Sequence, residues 1–167
     1  MKVKEMTRIA LLAALLFIIY SSGSVMLYVE LFNFTVLLYG VTLPRRQAVL
    51  AVLLVCLLIV FIYGVQLWTM MYVLIFPSYA FIYSWMGRRI KSEYGFAFLG
   101  FFLAFLSGTL IDLPFILLSG MAGKALVSHF LFGFQASLGN GMSTFLATLF
   151  LFAPLSKVIK RSLDPLH

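Results

Sequence analysis

Between Arg46 and Arg88 the chain runs for 41 residues, Gln47 to Gly87, without a formal charge. A single helix needs only about 20 apolar residues to cross a bilayer, so a run of this length reads as a hairpin of two membrane spans. Glycine, an amide and an indole interrupt the aliphatic pattern at Gly64, Gln66 and Trp68, which places the turn there and the spans over about 47–65 and 68–87. The rest of the chain agrees: 63% of its residues are apolar and 10% charged, against roughly 25% charged in a water-soluble domain. The excess of 12 Lys and Arg over 5 Asp and Glu would suit a nucleic-acid binder if it covered a surface, but here it sits in small clusters between apolar runs.

The same reading divides the remainder. Ile9 to Leu43 holds one charge, Glu30, and is broken by Ser21-Ser22-Gly23-Ser24 ahead of Tyr28 and Asn33, which predicts a span over about 6–28 and a short one over about 31–44, ending at Pro44. The first run is long and followed by others, so it reads as a span and not as a cleavable leader. Tyr94–Gly123, interrupted by Asp112-Leu113-Pro114, and Ala125–Ser156 complete the set. Both exceed what a bilayer requires, which predicts tilt, a kink at Pro114 or an irregular outer loop. The expectation is an all-α integral membrane bundle of six transmembrane helices, one domain over residues 1–161, with an unstructured polar tail at 162–167. Eleven of the 12 basic residues, all but Lys124, then fall on one side, and the positive-inside bias makes that side and both termini cytoplasmic.

Several chemistries lack their residues. There is no G-x-x-x-x-G-K-[ST] loop for ATP, no paired carboxylates, no Ser/His/Asp set and no His/Cys cluster at metal-ligand spacing, so no metal, cofactor or catalytic role is expected. Cys56, alone inside an apolar run, forms no disulfide framework. One intramembrane acid and no inverted repeat also make a poor proton-driven carrier.

What remains is a polar and aromatic set at the outer ends of the spans. Asp112 is its strongest member, because a lone acid in a span costs up to about 2.5–3.5 kcal/mol unless it meets a partner or water; it marks a site or braces the break at Pro114. On the last span His129, Gly133, Ala136, Asn140, Ser143 and Ala147 recur at steps of three and four and share one face, open to helix packing throughout and to ligand contact at His129 and Asn140. Gln135 lies about 120° around the helix from His129. Tyr28, Trp68, Tyr72 and Asn33 gather at the outer edge as interfacial belt residues or as walls for a flat ligand. Near the cytoplasmic end of the first span, Ala10 and Ala14 form a small-x-x-x-small pair suited to docking another helix.

The chain resembles the substrate-binding S components of energy-coupling factor (ECF) vitamin transporters. The likeness rests on its size, six spans with both ends inside, the early T-R-I-A-L-L-A-A segment, the short second span and the final A-P-L-S-K-V-I-K-R. The resemblance implies a bacterial plasma-membrane subunit that binds a vitamin near the outer face. It also implies docking through Ala10 and Ala14 on a transmembrane coupling subunit that carries two ATP-binding subunits.

Charge narrows the cargo. Glu30 and Asp112 stand against Lys124 and His129, which is no cradle for anionic folate or pantothenate. A small aromatic amine or pyridine fits better, such as pyridoxamine or hydroxymethylpyrimidine. Asp112 would take its nitrogen, Trp68 and Tyr72 would stack on the ring, and His129, Asn33 and Asn140 would bond its hydroxyl or amino groups. Two other classes stay open: a non-catalytic membrane scaffold of the cell-shape type, and a membrane enzyme, which would need a polar cluster at the cytoplasmic interface.

Overall fold

The computed structural model describes residues 3–23 and 31–163. Every regular element among them is a helix: α1 (Val3–Gly23), α2 (Phe32–Thr42), α3 (Arg45–Tyr63), α4 (Leu67–Met86), α5 (Glu93–Leu118) and α6 (Gly123–Leu163). All except α2 are long and apolar enough to cross a membrane. The uncharged run folds as the hairpin α3–α4. Its turn is set by Gly64, whose φ of 83° is open to glycine at no steric cost. Thr69 then ties it: its hydroxyl donates to the Gly64 carbonyl (3.0 Å) and accepts from the Gln66 amide (2.9 Å).

The short second element is the centre of the molecule. Of its 11 residues only Val41 is not fully buried, because α2 is packed between α4 and α6 and meets α3, α1 and α5 as well. At a rise of 1.5 Å per residue it covers about 16 Å, half of the hydrocarbon thickness, so α2 alone is no crossing. The predicted first span is helical as far as it is described, to Gly23; residues 24–30, with Tyr28 and Glu30, lie outside the described residues. Close backbone approach holds α2 in place: a Cβ on Gly40 would stand 2.5 Å from the Tyr83 Cβ and 2.9 Å from the Ala80 carbonyl oxygen. The Tyr39 hydroxyl donates to the Leu12 carbonyl (3.1 Å), which ties α2 to α1.

α5 and α6 form the second hairpin and pack mainly on each other. Their 26 and 41 residues rise about 39 and 61 Å, against about 30 Å for the 20 residues of α4, so this hairpin is the longer of the two. α5 stays α-helical through Pro114 to Leu118, where the Ser119 amide caps the Phe115 carbonyl (2.9 Å), and the expected irregular stretch is the short connection 119–122, with Gly120 at a φ of 65°. The helix α6 also runs past the expected boundary at Ser156. Lys160 and Arg161 in its last turn complement the helix dipole, so Ser162 and Leu163 belong to the helix and not to an unstructured tail.

The basic clusters come together at one end of the bundle. Val3, Lys4 and Arg8 of α1 share a groove with Ser162 of α6, Phe96 near the start of α5 packs on Phe152 near the end of α6 (centroids 5.1 Å), and α3 starts where α4 finishes. The two ends of the described chain are therefore on the same side, and Lys124 is on the other.

Candidate functional site

Asp112 and His129 meet across the α5–α6 hairpin. The Asp112 Oδ2 lies 3.5 Å from the His129 Nε2, within reach of an ion pair when the imidazole is protonated. The His129 Nε2 is itself buried and makes no hydrogen bond, so the separation is not a saturated contact. The two side chains are 40% and 28% exposed respectively. Gly133 makes room for the carboxylate, since a Cβ there would stand 3.2 Å from the Oδ2. Phe115 packs tilted against the imidazole ring at 5.6 Å.

This pair borders a recess of about 320 Å³ lined by Phe105, Thr109, Ile116, Phe130, Gly133 and Phe134. The α5 residues Phe105, Thr109, Asp112 and Ile116 follow steps of four, three and four, which put them on one face. Phe105 meets Phe134 edge-on at 5.5 Å and closes the lower end. Leu103 packs in the core, and nine residues on a helix are about 180° of rotation, so Asp112 points the opposite way. The recess therefore opens on the flank of the hairpin, away from the core. Asp112 stands about 28 Å along α5 from Glu93, a distance close to the thickness of a hydrocarbon layer, about 30 Å.

The other expected residues take different positions. Asn140 shares the face of His129, but eleven residues lower it by about 16 Å, too far to touch the same small molecule. Gln135 is exposed on α6 and borders no part of the recess. Asn33 is buried in the first turn of α2. Trp68 and Tyr72 belong to an aromatic ladder along α4, with centroid steps of 5.4 Å to Tyr72, 4.8 Å to Phe76 and 6.2 Å to Tyr79. Tyr72 also packs on Phe32 (6.3 Å) and Tyr20 (6.1 Å), and the Trp68 indole N–H donates to the Gln66 side chain (2.7 Å). These rings face one another and the turn. None lines the recess beside Asp112. Its aromatic walls are Phe105, Phe130 and Phe134, none of them singled out by the sequence patterns above; the spacing of Phe105, Thr109 and Asp112 on α5 was the available signal. Tyr28 lies outside the described residues.

Ala10 and Ala14 are exposed on α1 while Ala13 between them is buried, so the small pair looks outward from the bundle. No group of three or more metal-ligating side chains occurs among the described residues. No family model, curated protein or solved structure matches the chain.

Proposed function

We propose that this chain is the substrate-binding membrane subunit of an ECF-type transporter. It captures a small aromatic amine at the outer face, a vitamin B6 form such as pyridoxamine or a hydroxymethylpyrimidine, and releases it inside when coupled to an ATPase module. The observation that carries the reading is the acid–imidazole pair in an aromatic recess at the outer boundary. An ammonium group there meets one carboxylate and the faces of phenylalanine rings, and both interactions favour a cation. The His129 Nε2, 3.5 Å from the Asp112 carboxylate and making no hydrogen bond, is placed to bond a ring hydroxyl beside the amine. Size argues in the same direction: ligand pockets span about 300–1,000 Å³, and a recess of about 320 Å³ suits a single substituted ring and not folate.

Two further features fit such a subunit. A helix that starts halfway through the membrane leaves first-turn amides that lipid cannot satisfy, so the space above α2 must be filled by protein or water. The outward Ala10 and Ala14 supply a flat surface for a coupling helix, and the chain has no motif for binding ATP.

The test is calorimetry on the purified protein against a panel of vitamins. Pyridoxamine or hydroxymethylpyrimidine should bind at submicromolar concentration, and Asp112→Asn should weaken an amine ligand by about tenfold or more, since a hydrogen bond to a charged group contributes about 1.5–3 kcal/mol. Tight folate binding with no amine signal would overturn the cargo assignment. Co-purification with cell-shape proteins, and not with a membrane coupling subunit and two ATP-binding subunits, would overturn the transporter itself.

A further inference from the structure

A second site lies at the basic end, on the opposite face of the membrane from the recess. The Arg45 guanidinium stacks over the Phe81 ring with its Cζ 4.8 Å from the centroid, and its Nε is buried without a hydrogen-bond acceptor. A shallow groove of about 350 Å³ between α3 and α4 is lined by Val49, Pro77, Ser78, Phe81 and Ile82. Val49 is one turn into the membrane from Arg45, and Pro77 and Ser78 are one turn in from Phe81, so the groove runs from the guanidinium toward the bilayer centre. Its one hydroxyl, on Ser78, is spent on the Leu74 carbonyl (2.7 Å), which leaves the walls apolar. Arg45 and Arg46 open α3, where first-turn amides and the positive end of the helix dipole add to the same field.

We infer that the α3–α4 groove beneath Arg45 binds an anionic phospholipid, with its phosphate on the Arg45 guanidinium and an acyl chain along Val49, Ser78 and Ile82. Charge complementarity names the occupant. A planar donor fork matches a phosphodiester, its ring partner holds it at the membrane boundary, and an acyl chain is the apolar body that lipid supplies below that point. Chain packing adds little selectivity in a bilayer, where the alternative neighbour is equally apolar, so preference comes from the headgroup. This inference is independent of the transporter assignment.

The experiment is native mass spectrometry of the full chain extracted in mild detergent and offered phosphatidylglycerol, phosphatidylcholine, or glycerol phosphate without acyl chains. The unaltered protein should retain phosphatidylglycerol over phosphatidylcholine and should not retain glycerol phosphate. Arg45→Gln should lower phosphatidylglycerol retention about tenfold, while Arg161→Gln, which removes the same charge at the end of α6, should leave it unchanged. Val49→Trp, which fills the groove and keeps Arg45, should also lower retention; its thermal transition confirms folding. Equal losses in Arg45→Gln and Arg161→Gln would reduce the effect to surface potential and overturn the site. Retention untouched by both Arg45→Gln and Val49→Trp would overturn it as well, and glycerol phosphate retained as well as the lipid would assign the contact to a free phosphate.

Discussion

Single positions show how differently two glycines are used. Gly40 is needed for space, because any Cβ on it would run into the Tyr83 Cβ and the Ala80 carbonyl, and neither atom can turn aside as a flexible side-chain end would. Gly64 is needed for its backbone: a Cβ would meet nothing within 4 Å, but its φ of 83° disfavours any L side chain. Gly40→Val should therefore destabilise the bundle by about 1–3 kcal/mol or more through overpacking. Gly64→Ala should cost about 1–3 kcal/mol through the backbone alone, because φ 83° with ψ 173° is a conformation essentially only glycine adopts. Thermal unfolding in detergent checks both: each variant should have a lower Tm than the unaltered protein, and an unchanged Tm for Gly40→Val would show that α2 and α4 can move apart freely. The same distinction applies at the recess, where Gly133 leaves Asp112 its position and the carboxylate accepts no hydrogen bond from the described residues.

At the scale of elements, hairpins carry the fold. The turn of α3–α4 depends on Thr69, which is fully buried and bridges the Gly64 carbonyl and the Gln66 amide. Thr69→Val keeps the shape and removes both bonds, so it should cost about 1–2 kcal/mol. It should also raise amide hydrogen exchange at residues 64–68 before the rest of α3 and α4; unchanged exchange would mean that the Trp68–Gln66 bond holds the turn unaided. This hairpin was legible in the sequence to within about two residues at each end, because its signals are local: a charge-free run, a glycine and an interfacial indole. The candidate site was half legible. Asp112 and His129 stood out as ionisable groups in apolar runs, and the structure joins them. Which rings surround them depends on the phase of α5 against α6, which is not written in residue types. The indole and phenol that drew notice near Gln66 pack instead along α4, since aromatic residues four apart on one helix reach each other first.

For the whole molecule, the distribution of charge fixes a testable topology. All the basic clusters of the described residues except Lys124 lie at the end of the bundle that carries both ends of the described chain, and the bias of cytoplasmic loops toward Lys and Arg predicts that this end is inside. Cys56 is fully buried and gives little background, so single cysteines report cleanly. Gly120→Cys, in the α5–α6 turn, should react with a membrane-impermeant maleimide in intact cells, and Lys91→Cys, between α4 and α5, only after lysis. The reverse pattern would invert the protein and move the Asp112 recess inside. That orientation also governs coupling. On the proposed function the chain would meet its ATPase module through a lateral face, and α1 offers Ala10 and Ala14 on its exposed side near the basic end. Two indoles there would hold an approaching helix away by several ångströms, far beyond the close contact that small residues permit. They would do so at a surface that α2, α5 and α6 do not use. Ala10→Trp combined with Ala14→Trp should therefore abolish co-purification with a coupling subunit and its two ATP-binding partners while pyridoxamine affinity and Tm stay at the unaltered values. Loss of ligand affinity along with the complex would mean that α1 shapes the recess, and an intact complex would place the coupling face elsewhere on the bundle.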